Sequence, residues 1–323
     1  MERLRKRKKK EEEFDDLNVN PYNLPPYEIY EPEGYKDGPE GFIKWCNDFV
    51  YIPIYPEGSD IAVWTPMCEL SDVPNPKTGK SYKSIWEEQQ WEIRRCLRML
   101  NGRFLYRLIV FCWMRGEGKS FIACLVQLWK FMNWPRQMIV LGANSKEQTK
   151  FVHFDIIRDI ILNSPKILAQ VGKRNIQEKE IRIRDESDNI GSIIRPISSF
   201  SGIVSNITGY TFSEIFDMKN PKFFTQLDGS IRNIPNALGV IDSTVSTKDH
   251  ILYNLFSSFA EQKTKTLYFS YRCSNKGVAD DFWNPNMNQQ DLDDYKVKFL
   301  PADFDRYFRN IWGKGGENAF TES

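Results

Sequence analysis

Between residues 84 and 271, runs of continuous apolar character alternate with stretches of helical period. SIWEEQQWEIRRCLRML predicts a helix, with Ser84 and Glu87 in capping-box spacing. RFLYRLIVFCWM ends in an uninterrupted apolar run over residues 108–114, the pattern of a strand covered on both faces. KSFIACLVQLWKFMN predicts a helix stopped at Pro135, RQMIVLGA a second buried strand, and SKEQTKFVHFDIIRDIILN a long helix with Ser145 and Gln148 in capping spacing. IRIRDESDNIGSIIRPI predicts a hairpin with a polar turn, and GYTFSEIF another strand. Asn220-Pro221 predicts a helix start before KFFTQL. ALGVIDST, a helix near 249–260 and KTLYFSYR complete the series. This alternation predicts an α/β fold with a mainly parallel central sheet flanked by helices on both faces.

The flanks differ. Residues 1–18 are a basic block followed by an acidic one, predicted to be a disordered charged tail. Residues 19–83 are rich in Pro, Tyr and Gly and predict an ordered wrap over a core. Lys+Arg total 44 against 43 Asp+Glu, a net charge of +1, which excludes a globally basic nucleic-acid coat. Arg94, Arg95, Arg98, Arg103 and Arg107 form one local basic cluster, readable as a solvated face or as a phosphate contact. The longest apolar run is far short of the roughly 20 residues of a membrane span. No apolar stretch follows the basic start, so a cytoplasmic protein without a secretory signal is expected. None of the six cysteines forms a C-x-x-C pair, which argues against structural zinc.

Strand, then WMRGEGKS, then helix is the context of a phosphate-binding loop, with backbone N–H groups aimed at the phosphates. Gly116 and Gly118 would let the backbone approach, with Glu117 between them, and Lys119 would contact the β- and γ-phosphates. The Ser120 hydroxyl would ligate Mg²⁺. Where the full pattern wants glycine the chain has Trp113, so the loop is a deviant form. The other GKS, at Gly79–Ser81, follows VPNPK without a buried strand and reads as a surface turn. Arg115 can neutralise charge in the transition state or simply pair with Glu117.

Nucleotide hydrolysis needs a carboxylate to position or deprotonate water. Glu214, at the end of an apolar-aromatic strand, is favoured over Asp185 and Glu186 on the hairpin. The position before Glu214, where an acid is usual, is Ser213. Asp217 is a second candidate beside the metal, or else a capping or solvated acid. Ser243 and Thr244, ending the VIDST strand, can sense the γ-phosphate or merely cap a turn. Upstream, Gln89 can pair with an adenine edge, and Trp86 can pack on the ring or in the core.

In order, these pieces resemble the ATPase domain of the large terminase subunit of tailed double-stranded DNA phages, over roughly residues 40–320. W-x-x-Q at Trp86 to Gln89, R-x-x-G-K-S at Arg115 to Ser120, VLGANSKEQTKFV, the Glu214 strand, VIDST and FDRYFRNIW are the matching pieces. The resemblance implies a P-loop NTPase that hydrolyses ATP with Mg²⁺. It would translocate double-stranded DNA into a procapsid, as a homo-oligomer on the portal protein with a small terminase subunit. It also implies Arg115 as an in-chain arginine finger, Glu214 as the water-activating base, Ser243 and Thr244 in the coupling motif, and Gln89 reading adenine. The ATPase domain would span 19–285 (core 84–285), with 286–323 a linker toward a nuclease domain too large for what remains of this chain. Alternatives are another P-loop ATPase of helicase or translocase type, or a non-hydrolysing nucleotide-binding subunit, which Ser213 favours somewhat.

Overall fold

In the computed structural model the described residues are 22, 24–56, 59–72, 85–144, 150–198, 206–218 and 221–313. The charged tail, Ser84, the Gly79–Ser81 turn, Ser145, Gln148 and Asn220 fall outside them. Eleven strands and nine α-helices are described. In chain order they are α1 (Gly38–Phe49), β1 (Tyr51–Ile54), β2 (Val63–Pro66), α2 (Glu87–Cys96), β3 (Met99–Leu100), β4 (Arg103–Phe104), β5 (Leu108–Cys112), α3 (Lys119–Asn133) and β6 (Met138–Ala143). They continue with α4 (Asp155–Asn163), α5 (Pro165–Val171), β7 (Ile181–Arg184), β8 (Ile190–Ser198), β9 (Gly209–Ser213) and α6 (Pro221–Ile231). The last are β10 (Leu238–Ser243), α7 (Ile251–Ala260), β11 (Leu267–Tyr271), α8 (Gln289–Lys298) and α9 (Pro301–Phe304).

Seven strands form the central sheet in the order β11-β5-β10-β9-β6-β8-β7. Every neighbouring pair is parallel except β7 on β8, the predicted hairpin. The connection β5–α3–β6 crosses the sheet in one direction, and β9–α6–β10 and β10–α7–β11 in the other. Right-handed crossovers therefore place α3 on one face and α6 and α7 on the opposite face. Strands β5, β9 and β10 are buried along their whole length, as their continuous apolar runs require.

Within the Pro- and Tyr-rich segment the described residues contain α1, with Pro39 in the first turn, where its missing N–H costs nothing. Phe42 of α1 meets Trp129 of α3 edge-on at 5.4 Å, and the Trp129 indole donates to Tyr35 O at 2.6 Å. Between α1 and α2, Glu40 and Arg94 form a buried ion pair at 2.7 Å. Arg94 of the basic cluster is thereby committed to the interior.

Residues 286–313 are helical over most of their length and fold back on the sheet. Phe282, Leu292, Phe304 and Phe308 close around Met114, just ahead of the phosphate loop. Asn310, fully buried and left-handed (φ 53°), then ties together the carboxyl ends of β5, β10 and β11. Its Nδ2 donates to Cys112 O and Arg272 O, each at 2.8 Å, and its Oδ1 accepts the Val245 N–H at 2.8 Å.

Candidate active site

The carboxyl ends of the parallel strands gather the predicted residues, the usual ligand position in open α/β sheets. The loop after β5 turns through Gly116 (φ 93°) and Gly118 (φ 73°), two left-handed positions that favour glycine, before α3 begins at Lys119. Trp113 is still part of the buried strand run. Its indole donates to Ser270 Oγ on β11 at 2.7 Å, so the place where the usual pattern has glycine is taken by a core anchor.

The loop is held from outside by distant parts of the chain. Asn284 Nδ2 donates to Gly116 O at 2.8 Å, and Gln89 Nε2 donates to Glu117 O at 2.8 Å. The Arg115 N–H donates to Tyr307 O at 2.6 Å. Gln89 Oε1 meanwhile accepts the Trp86 N–H at 3.1 Å, and the Trp86 ring lies against Gly118. Both ends of the Gln89 amide are thus engaged with α2 and the loop. The Arg115 guanidinium is exposed and lies over the Tyr307 ring, 5.3 Å from its centroid.

Glu117 turns inward instead and is fully buried. Its Oε1 accepts the Trp283 N–H at 3.1 Å and lies 3.7 Å from Arg272 Nε. Burial pushes its carboxyl up to about 7, with Arg272 pulling the other way.

Glu214 follows β9 in a left-handed conformation (φ 51°), uncommon for a residue with a Cβ and a frequent mark of functional positions. Its N–H donates to Asp242 O at 2.8 Å, and its carbonyl accepts from Asn144 Nδ2 at 2.9 Å. The side chain thus leans toward the loop, with Oε1 3.7 Å from Lys119 Nζ. Lys119 is 6% exposed and Glu214 30%, so the acid faces solvent where the base does not. Burial raises the Glu214 pKa and Asp242 adds to the rise, while Lys119 and Arg115 oppose it.

Ser243 Oγ accepts the Phe216 N–H at 3.1 Å, and Ser246 Oγ donates to Phe216 O at 3.0 Å, so the VIDST strand end grips the turn that follows Glu214. Thr244 Oγ1 is buried and has no hydrogen-bond partner among the described residues. Asp217 closes the turn Ile215–Asp217, and its charge acts on His250. The carboxylate that reaches Ser120 is Asp242, at 2.5 Å from the hydroxyl, which the sequence reading passed over inside VIDST.

No protein-family model and no curated protein matches the sequence. Among solved structures, the HK97 bacteriophage large terminase superposes with a TM-score of 0.58 at 14% identity, over 76% of this chain and 54% of that one. Over that stretch the chain shares the fold of the HK97 large terminase. It spans about half the length of the HK97 large terminase. The Thermus phage P74-26 large terminase ATPase domain aligns at 12% identity and a TM-score of 0.49, over 67% of this chain and 92% of that domain. At such identities the likeness to terminases is one of fold. No described helix is long and apolar enough to cross a membrane.

Proposed function

We propose that this chain is the ATP-hydrolysing motor of a phage DNA-packaging terminase, driving double-stranded DNA into a procapsid. The observation that supports it most is Lys119 facing Glu214 at 3.7 Å across the mouth of a glycine-turned loop, on a terminase fold. Lys119 binds the β- and γ-phosphates, and loop and α3 N–H groups bind phosphate oxygens. Glu214, its carboxyl raised by burial but held ionisable by Lys119, orients and deprotonates the attacking water. Arg115, free to leave Tyr307 from its exposed position, neutralises transition-state charge.

The oxygen donors around Ser120 suit a hard cation such as Mg²⁺, which would neutralise phosphate charge when bound. Phosphate loss is felt at Ser243 and Thr244, and the Ser243 and Ser246 bonds to Phe216 pass it to the Glu214 turn. Trp86 and Gln89 brace the loop where the base would lie. The working form is an oligomer on a portal protein, with a small terminase subunit as partner, in the host cytoplasm.

Steady-state ATP hydrolysis with Mg²⁺, with and without duplex DNA, tests this. Glu214→Gln is expected to slow turnover by about 10²–10⁴-fold, the range for losing a general base, with nucleotide still bound. Lys119→Ala is expected to abolish nucleotide binding. Unchanged turnover in Glu214→Gln refutes the assignment of the base. Nucleotide-independent behaviour of the wild type refutes the motor.

A further inference from the structure

Asp242 is a fully buried carboxylate at the end of a central strand, and such a group is expensive to keep ionised. Its surroundings nevertheless favour the charge. Oδ2 accepts from Ser120 Oγ at 2.5 Å and from Ser213 Oγ at 3.3 Å. Oδ1 lies 2.9 Å from His153 Nε2, and His153 Nδ1 lies 2.7 Å from Thr211 Oγ1. Two hydroxyls and an imidazole nitrogen thus face its two oxygens.

The order of groups excludes one familiar use of serine, histidine and aspartate. Here the aspartate stands between the other two, so the imidazole cannot take the Ser120 proton and does not make a nucleophile of it. What the arrangement does is fix an anionic oxygen against the one hydroxyl that, in a phosphate loop, turns to a metal ion.

Register shows where this carboxylate came to stand. Asp242 and Ser213 are directly paired neighbours on β10 and β9, and β10 lies between β9 and the loop strand β5. The acid missing before Glu214 is therefore present at the same height, one strand nearer the loop. That is a step of about 4.8 Å, within the reach of one side chain or one bridging water. A hydroxyl occupies the place it would have left.

Resting on the nucleotide-binding reading above, we propose that Asp242, acting with Ser120, is the metal-side carboxylate of this site, holding Mg²⁺ or Mn²⁺ beside the bound nucleotide. The Ser213 departure is then an exchange of strands and not the loss of a metal site. Hydroxyl and carboxylate oxygens are the donor set these hard cations take.

The test compares affinity for a fluorescent ATPγS analogue in Mg²⁺ and in EDTA, and counts bound Mn²⁺ by electron paramagnetic resonance, on the full chain. Wild type is expected to bind nucleotide more tightly with Mg²⁺. In Asp242→Asn the ratio of the two affinities collapses toward one, with less repulsion of phosphate in EDTA. Mn²⁺ affinity is expected to fall by about 10–100-fold. Melting curves establish that the variant is folded. A measurement without substitution stands beside it. Anomalous scattering from Mn²⁺ in wild-type crystals with ATPγS is expected to place the ion within one ligand or one water of Asp242. An ion remote from Asp242, or a metal dependence that survives Asp242→Asn, overturns the proposal while leaving nucleotide binding intact. A wild type that binds no nucleotide in either buffer refutes the phosphate-loop reading and this proposal with it.

Discussion

Asn310 has no site role predicted for it within FDRYFRNIW, yet its replacement is expected to be among the most damaging single changes in the chain. Removing its side chain strands the Val245 N–H and the Arg272 carbonyl inside the protein, while Cys112 O keeps a second donor, the Arg272 N–H at 3.1 Å. An orphaned buried backbone group costs about 2 kcal/mol, so Asn310→Gly is expected to lose about 4 kcal/mol. Alanine adds about 1 kcal/mol, because the position is left-handed (φ 53°) and disfavours a Cβ without a compensating hydrogen bond. Urea unfolding followed by tryptophan fluorescence measures both. The order is the informative part, since Asn310→Ala should be less stable than Asn310→Gly, reversing the usual ranking. A loss below about 1 kcal/mol in both variants refutes the clamp, given what two orphaned groups must cost.

Two further expectations concern pH. Lys130, packed over the Phe104 ring and donating to Thr208 O and Asn236 O, has its pKa pushed down to about 7 by burial. The unfolded chain keeps that proton to 10.5, so stability rises from about pH 7 toward 10, at up to ~1.4 kcal/mol per unit. Urea midpoints at pH 7 and 9 should show a flatter slope in Lys130→Met. Glu117 works the other way: its folded pKa, about 7, exceeds the unfolded 4.5, so its contribution is complete below 4.5 and lost as pH rises through 7. Glu117→Gln keeps an acceptor for the Trp283 N–H, and its melting temperature should fall less than that of wild type between pH 6 and 8.

The elements best read from sequence are those whose signal is local. The run at 108–114 and the helical period from Lys119 to Asn133 place β5 and α3 with the loop between them, because burial on both faces and amphipathicity are each written within a few residues. Glu214 was legible for the same reason, as an acid ending an apolar strand. Helix α1 was hidden by the prolines, tyrosines and glycines around it, and its helical content rests on packing against α3 more than on local propensity. Asp242 was hidden for a different reason. The letters IDST do not say which strand lies alongside, and only the pairing of Asp242 with Ser213 shows that the two stand side by side on adjacent strands. Asn310 is invisible on the same grounds, since its three partners lie on three separate stretches of chain.

The outward bracing of the phosphate loop bears on where this polypeptide can be divided. Trp283 and Asn284 reach Glu117 and Gly116 across 166 and 168 residues, and Tyr307 holds the Arg115 amide. A domain boundary at 285, natural on the sequence, would keep the first two contacts and discard the third, along with the Asn310 clamp. An expressed fragment ending there would contain every residue of the nucleotide motif and still lack part of what shapes it. The contacts to the site's strands continue as far as Gly313, whose N–H donates to Ser246 O at 3.1 Å. For grafting, the join belongs after that residue.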